Sequence, residues 1–265
     1  MNSREKTQTL KETIASKGSM LVAFSGGVDS SLLAVLAKEV LGNNIRCVLL
    51  DSPVVSRAAI AEAQQIAEEY CLQLEIIPVC VMEDVRFTKN PPDRCYWCKK
   101  ISAEVLKKRR DSLGFACIAD GINVSDLGEH RPGLVASNEE GIIHPFLQTG
   151  ITKADIREIA QVCGFHFWDK PAAACLSSRI PYAEEITDKK LNMVEAAETY
   201  LHSSGFSSCR VRMHGSIARI EVVKDDMQKL LCNREDLVRT LRLIGFTYIS
   251  LDLEGYRSGS MDEVL

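Results

Sequence analysis

The stretch Met20-Leu21-Val22-Ala23-Phe24-Ser25-Gly26-Gly27-Val28-Asp29-Ser30-Ser31-Leu32-Leu33 decides the reading of the fold. An apolar run, two adjacent glycines among serines, and a second apolar run predict a buried strand, a tight turn and a helix. Backbone amides in such a turn, with the positive end of the following helix, form a cradle for an anion. Adjacent glycines let the backbone close around phosphate oxygens with no Cβ in the way. Ser25 and Ser30 add hydroxyl donors, and Asp29 can hold a Mg²⁺ that the phosphates also bind. The turn matches neither G-x-x-x-x-G-K-[ST] nor G-x-G-x-x-G. A bare Gly-Gly turn would be structural; the full string S-G-G-V-D-S in this setting is read as a phosphate loop.

Working outward, an amphipathic helix over Thr7–Ser16 precedes the strand Met20–Phe24, and a helix over Ser31–Leu41 follows it. Ile45–Leu50 reads as a second buried strand, Ser56–Tyr70 as a helix and Gln73–Pro78 as a third strand. A helix around Lys99–Leu113, a strand at Ala116–Ala119 and a helix over Lys153–Cys163 continue the alternation. This order predicts an α/β fold: a parallel sheet with helices on both faces. The composition changes near Pro181. Beyond it lie a helix (Asp188–Ser203), a strand pair (Cys209–His214 and Ala218–Val222), two short helices (Asp225–Cys232 and Glu235–Ile244) and a last strand (Tyr248–Leu253). The expected organisation is a larger domain over 1–180 and a small α/β domain over 181–265.

The chain has 265 residues, of which 46% are hydrophobic and 26% charged, enough to bury a core and too much for a disordered chain. A net charge of −4 argues against life on nucleic-acid phosphate. No apolar run reaches membrane-spanning length and the N-terminus is polar, so a cytoplasmic protein without membrane or nucleic-acid partners is expected. Ten cysteines in such a compartment are thiols, metal ligands or catalysts rather than a disulfide framework. Cys47, Cys71, Cys80, Cys117, Cys163, Cys209 and Cys232 stand singly, most of them in apolar segments, and are read as small hydrophobes.

The other three differ. Asn90-Pro91-Pro92-Asp93-Arg94-Cys95-Tyr96-Trp97-Cys98-Lys99-Lys100 reads as a polar, Pro-bounded loop running into a helix. Two thiols at C-x₂-C spacing can reach one metal centre, and Arg94, Lys99 and Lys100 are expected to lower their pKa values. A second C-x₂-C is absent and the His residues show no ligand spacing, which counts against four-ligand zinc. A third cysteine lies in Ala174-Cys175-Leu176-Ser177-Ser178-Arg179. On spacing alone, the three read either as ligands of an iron–sulfur cluster with one iron open, or as unrelated buried thiols.

The string S-G-G-V-D-S resembles the loop of the N-type ATP pyrophosphatases, which adenylate a substrate and release pyrophosphate. That resemblance makes Ser25, Gly26, Gly27, Asp29 and Ser30 residues for ATP and Mg²⁺, with Asp29 also catalytic. Asp51 and Ser52 fall where the superfamily places its adenosine-contacting loop. Asp120-Gly121-Ile122-Asn123-Val124-Ser125-Asp126 resembles a second superfamily motif, which brings Asp120, Gly121 and Asp126 to the nucleotide. The implied fold class is a parallel-sheet N-type ATP pyrophosphatase domain with a smaller C-terminal α/β domain.

Further pieces resemble one family across nearly the whole chain. They are R-C-Y-W-C-K, D-G-I-N with R-P-G (Arg131 to Gly133), and C-L-S-S-R-I-P-Y (Cys175 to Tyr182). The tail adds Arg210-Val211-Arg212 with His214, Ala218-Arg219-Ile220-Glu221, Leu251-Asp252 and Gly255-Tyr256-Arg257-Ser258-Gly259. The family is LarE, the ATP-dependent sulfur transferases of nickel-pincer cofactor biosynthesis. The resemblance implies a homo-oligomer whose substrate is pyridinium-3,5-biscarboxylic acid mononucleotide. It also implies acyl adenylation by ATP and displacement of AMP by a sulfur nucleophile, once at each carboxylate.

Two sulfur routes occur in that family. Some members sacrifice one cysteine's sulfur; others carry three cysteines taken to hold a 4Fe–4S cluster. The resemblance makes Cys95, Cys98 and Cys175 the cluster ligands, with Cys175 catalytic, and the three are expected to converge beside the adenylate. An anionic substrate calls for bidentate donors. Arg210 and Arg212 alternate onto one strand face, as substrate-phosphate ligands or as a solvated face. Trp97 either stacks on the pyridinium ring or packs. Ser178, Arg179, Glu198 and Glu221 enter as substrate-site residues through the resemblance alone. Two rivals stay open: a tRNA thiolation enzyme of the same superfamily, which calls for a basic surface, and a non-enzymatic nucleotide-binding protein, which needs no arranged thiols.

Overall fold

A computed structural model describes residues 3–128, 132–171, 174–257, 259–261 and 263. In chain order come α1 (Ser3–Ala15), β1 (Met20–Ala23), α2 (Val28–Leu41), β2 (Ile45–Asp51), α3 (Arg57–Glu69) and β3 (Leu74–Pro78). Next are α4 (Val85–Thr88), α5 (Arg94–Leu113), β4 (Cys117–Ala119), α6 (Pro132–Glu139), α7 (Pro145–Gln148) and α8 (Lys153–Val162). The last are α9 (Asp188–Ser203), β5 (Cys209–His214), β6 (Ile217–Val222), α10 (Met227–Cys232), α11 (Arg234–Ile244) and β7 (Tyr248–Leu251). The elements read from periodicity recur in type and order. The short helices α4, α6 and α7 do not, because helices of four to eight residues have too few turns to show a period.

The chain divides into two compact units, Met1–Val81 with Asp93–Ala173, and Met82–Pro92 with Ala174–Leu265. In the first, four parallel strands take the order β3-β2-β1-β4, with Met20 opposite Ile45 on one side and Cys117 on the other. Successive strand residues point to opposite faces. Met20, Val22, Cys47 and Leu49 therefore enter a core with Leu10, Leu32, Leu33, Leu36, Ile60 and Ile156, from α1, α2, α3 and α8. Leu21 and Val48 enter a second core with Ala103 and Leu106 of α5. Burial on both faces is why these strands read as continuous apolar runs rather than alternating ones.

The sheet order reverses at β1. The connection from β1 leads to β2 on one side, while β4 lies on the other. Loops that leave β1 and β4 at their carboxyl ends diverge around a crevice, where open α/β sheets bind ligands. That topology brings residues 24–30 and 120–126 to one place.

In the second unit, β5 and β6 form an antiparallel hairpin with β7 parallel to β6. Leu191, Val194, Ala197 and Leu201 line the buried face of α9. The segment 82–92 belongs here through Asn90, which is fully buried and adopts φ 56°. Asn is among the residues that tolerate the left-handed region. Its amide donates to the carbonyls of Ile180 (3.2 Å) and Pro181 (2.7 Å), and its own carbonyl accepts from the Ala183 amide at 3.0 Å. Among the described residues, no helix is long and apolar enough to cross a membrane.

Candidate active site

The turn after β1 is built as its residues predict. Gly26 has φ +68°, and a Cβ there would lie 2.6 Å from the Ala63 Cβ, so the loop sits directly on α3 and only glycine fits. Ser25 and Ser30 bring their hydroxyls within 3.0 Å, and the Ser25 amide donates to the Ser30 hydroxyl at 3.2 Å. Gly27 caps α2 without a side-chain cap, which leaves the amides of the first helical turn facing the loop.

Asp29 lies in that first turn, and its carboxylate accepts from Lys153 Nζ of α8 at 2.6 Å. Burial pushes the Asp29 carboxyl up, against the Lys153 hydrogen bond and charge, and the charge of Asp126 pushes the same way as burial. A second lysine, Lys170, donates to the Gly26 carbonyl at 2.9 Å and pairs with Glu62 at 2.8 Å. Neither lysine was marked by a motif. The only sequence signal for Lys153 is its place at the start of a helix opened by a Thr152–Asp155 capping box.

Asp51 ends β2, and Ser52 follows it. Asp51 pairs with Arg57 at 2.7 Å, and the Ser52 hydroxyl accepts from the Val54 amide at 3.4 Å in a buried setting. Across the crevice, a Cβ on Gly121 would lie 2.9 Å from the Asp29 Cβ and from the Ser30 nitrogen. The two loops thus touch through a glycine.

Asp120 is 4% exposed and works as a hub. One oxygen meets His144 Nδ1 at 2.6 Å; the other accepts from Lys99 Nζ at 2.9 Å and the Ser137 hydroxyl at 3.3 Å. Burial raises its pKa, but the Lys99 charge and the His144 hydrogen bond outweigh that and hold it at about 2. Asp126 turns back on its own loop, accepting from the Asn123 amide at 2.9 Å.

The C-x₂-C pair lies inside a helix rather than in a loop before one, since α5 starts at Arg94. Spaced three apart, Cys95 and Cys98 sit on one side of its first turns, Cys95 exposed and Cys98 half-buried, and neither is in a disulfide. The flanking lysines expected to activate them point to carboxylates instead. Lys99 goes to Asp120, and Lys100 lies 2.6 Å from both Glu139 and Glu140. Trp97 meets the Tyr96 ring edge-on at 5.1 Å. Of the seven cysteines read as small hydrophobes, only Cys47 and Cys209 are buried, their thiols pushed up to about 12 by burial. Cys71, Cys80, Cys163 and Cys232 are exposed and Cys117 is half-buried, because their apolar neighbours belong to element ends.

Cys175 belongs to the second unit, at the start of a 3₁₀ turn over Leu176–Arg179. It is exposed, with Sγ 2.9 Å from the Ser177 hydroxyl. Within neither unit, among the described residues, do three or more His, Cys, Asp or Glu side chains gather as a metal-holding group.

The remaining site residues separate into two environments. Arg210 is half-buried over the Tyr256 ring at 5.2 Å and donates to the Cys209 carbonyl at 2.7 Å. Arg212, two residues on, is buried: Nε and Nη2 go to Glu221 at 3.1 and 2.9 Å, and Nη1 to the Ser178 carbonyl at 3.1 Å. Arg179 and Glu198 form a buried bidentate pair at 3.0 and 3.1 Å. Arg131 and Ser258, which belong to the quoted motifs, lie outside the described residues.

Comparison with known proteins follows the same lines. The family model described as NAD synthase matches residues 3–112. An NH3-dependent NAD synthetase from Campylobacter jejuni has the same fold, with TM-score 0.54 and 18% identity over 77% of this chain and 88% of that one. An uncharacterized protein of Synechocystis is 38% identical over 98% of both chains. The pyridinium-3,5-bisthiocarboxylic acid mononucleotide synthase of Lactiplantibacillus plantarum is 35% identical over 98% of this chain and 95% of its own. On a phosphate-loop fold that carries the S-G-G-V-D-S turn, similarity of that extent means that the chain belongs to the LarE family of ATP-dependent sulfur transferases.

Proposed function

We propose that this protein converts both carboxylates of pyridinium-3,5-biscarboxylic acid mononucleotide to thiocarboxylates at the expense of ATP. The observation that carries the reading is the near full-length similarity to the synthase of that name, on a chain whose phosphate loop keeps its hydroxyls and carboxylate in place. A carboxylate oxygen attacks the α-phosphorus of ATP, the α–β phosphoanhydride bond breaks, and pyrophosphate leaves. A sulfur nucleophile then adds to the acyl carbon of the mixed anhydride and AMP departs with the bonding pair. The first step makes a poor acyl acceptor reactive; the second uses a strong nucleophile.

Within the first unit, the amides at residues 25–30 bind the departing pyrophosphate, and the Ser25 and Ser30 hydroxyls supplement them. Asp29 is a carboxylate at a phosphate-binding turn and would hold a Mg²⁺, which when bound would supply positive charge to the leaving group. Asp51 and Ser52 face the adenosine, while Gly121 sets the spacing of the crevice and Asp126 shapes its field. Arg210 and Ser178 are proposed contacts of the substrate's phosphate, and Trp97 of its cationic ring. We read residues 1–180 as the adenylating part and 181–265 as the part for substrate binding and homo-oligomer formation.

For the sulfur, Cys95, Cys98 and Cys175 are thiols outside any disulfide and reachable from solvent to differing degrees. Three such thiols are a donor set that fits a 4Fe–4S cluster with one iron not held by protein. When bound, the cluster would supply sulfide, and the three side chains would hold it, leaving one iron without a cysteine ligand.

The test is pyrophosphate release with ATP and the pyridinium mononucleotide, followed by mass spectrometry of the product. Release that depends on the mononucleotide and yields thiocarboxylate is expected. Release that instead depends on transfer RNA, or no release with either, overturns the reading.

A further inference from the structure

The loop that carries Cys175 is held by two guanidinium groups. Arg179 directs Nη1 to the carbonyls of Ala174 and Cys175, both at 2.9 Å, and to the Ser178 hydroxyl at 2.8 Å. Its other two nitrogens form the fork on Glu198, and Glu198 is tied to β5 through the Val211 amide at 3.0 Å. Arg212 takes a further carbonyl of the turn, that of Ser178, while its remaining nitrogens meet Glu221 and the Ser260 hydroxyl. The Cys175 carbonyl also accepts from the Ser178 amide at 3.1 Å and the Ser178 hydroxyl at 2.8 Å. The backbone on either side of the thiol is therefore clamped, while the thiol itself stays exposed.

These four charged residues are buried: Arg179 is 3% exposed, Arg212 5%, Glu198 7% and Glu221 0%. Burying two ion pairs brings no stability that well-packed apolar side chains would not also bring. What a guanidinium adds is a rigid fork of donors, able to satisfy a carboxylate on one edge and aim at carbonyls on the other. In both arginines all three nitrogens have protein partners. That arrangement suits fixing a backbone, since each guanidinium joins a buried carboxylate to carbonyls of the turn.

We infer that Arg179 and Arg212, each oriented by its buried glutamate, are positioning residues: they hold residues 174–178 so that the Cys175 sulfur is presented from a rigid backbone. The inference rests on the proposed role of Cys175 in sulfur transfer.

The test uses the full chain with Arg179→Lys, which keeps the charge but cannot reach Glu198 and the carbonyls together. Hydrogen exchange over residues 174–180 is expected to quicken about tenfold, as loss of one charge-assisted contact predicts, with β1 and α2 unchanged. Sulfur transfer is expected to lose at least about tenfold in kcat, with KM for the pyridinium mononucleotide within about twofold of the parent, the split expected when alignment rather than binding is lost. Should Arg179→Lys not fold, Arg212→Lys, which touches the loop only at the Ser178 carbonyl, gives the same readings. Unchanged exchange, or a raised KM with kcat kept, overturns the inference and makes the arginines structural or substrate ligands. If the parent makes no thiocarboxylate, the proposed function fails instead, and the exchange result still decides the clamp.

Discussion

Lys153 Nζ lies 2.6 Å from Asp29 Oδ1, so the carboxylate of the phosphate loop is matched by an ammonium that the chain supplies 124 residues later. The side chains are 32% and 28% exposed, which makes the pair a partly solvated one of modest worth to stability. Its importance lies in charge placement at the mouth of the loop.

Replacing Asp29 by Ala is accordingly expected to abolish pyrophosphate release and leave the fold in place. A thermal melt within a few degrees of the parent fits the loss of at most about 1 kcal/mol from such a pair. A variant that releases pyrophosphate at the parent rate would remove Asp29 from the chemistry.

Asp120 makes the opposite prediction, for stability rather than turnover. Its carboxyl is held at about 2, below the ordinary 3.8, by Lys99 and His144 against the effect of burial. A depressed carboxyl stabilises the fold fully above its unfolded value, and that contribution fades as pH falls from about 4 through about 2. About 2 kcal/mol should be lost over that window. Asp120→Asn should be destabilised at neutral pH by about 3 kcal/mol, because Lys99 and His144 lose a buried charged partner. It should also show a shallower acid slope than the parent in urea unfolding at several pH values. Parallel slopes would contradict the hub.

The strand–loop–helix around Gly26 was legible because its signals are local: apolar runs, two glycines and a carboxylate within one turn. Lys153 and Lys170 were not, since their partners lie 124 and 144 residues away and single lysines at a helix start or in a loop carry no pattern. Alternation placed Arg210 and Arg212 on one strand face, but it could not say that Glu221 and Ser260 cover one of them and Tyr256 the other. Asn90 shows the same limit. Nothing in its neighbourhood signals that residues 82–92 join the C-terminal unit, because the acceptors of its amide are two carbonyls at 180 and 181. The charges around the cysteines were visible, but their carboxylate partners on other elements were not.

The glycines of the crevice should respond to a methyl group in a defined order. Gly121→Ala would drive a Cβ to 2.9 Å from the backbone of Asp29, and Gly26→Ala to 2.6 Å from Ala63 at φ +68°. Both should cost about 1–3 kcal/mol, the usual cost of overpacking, and lower pyrophosphate release. Gly27 meets only the Ser25 hydroxyl, at 3.4 Å, and has φ −76°, so Gly27→Ala should fold as stably as the parent. Chemical unfolding of the three variants ranks them; a Gly27→Ala as unstable as Gly26→Ala would show that the loop geometry is wrong.

Arg210 and Arg212 should separate in the same way. Arg210→Ala is expected to weaken binding of the pyridinium mononucleotide by about 1.5–3 kcal/mol, the worth of a charge-assisted contact, with ATP binding little changed. Arg212→Ala leaves Glu221, fully buried, with Arg219 and Ser260 as its remaining partners among the described residues, and should lose stability first. Calorimetric titration with each ligand, beside a melt, tells them apart; equal loss of both ligands in Arg210→Ala would place that residue on a structural face.

The cysteines carry the last prediction. Each is outside any disulfide, but they differ in setting: Cys95 and Cys98 stand on the first turns of α5, and Cys175 opens a clamped 3₁₀ turn in the other unit. If all three hold one cluster, serine at any one position should lower the iron bound after anaerobic purification and end multiple turnover, since a cluster on three protein ligands has none to spare. A sacrificial cysteine predicts something else. Then Cys175→Ser alone would stop the reaction, Cys95→Ser and Cys98→Ser would react as the parent does, and product would never exceed one sulfur for each chain. Iron content and product per chain, measured on the same three variants, separate the two routes, because only the cluster route couples the α5 thiols to turnover.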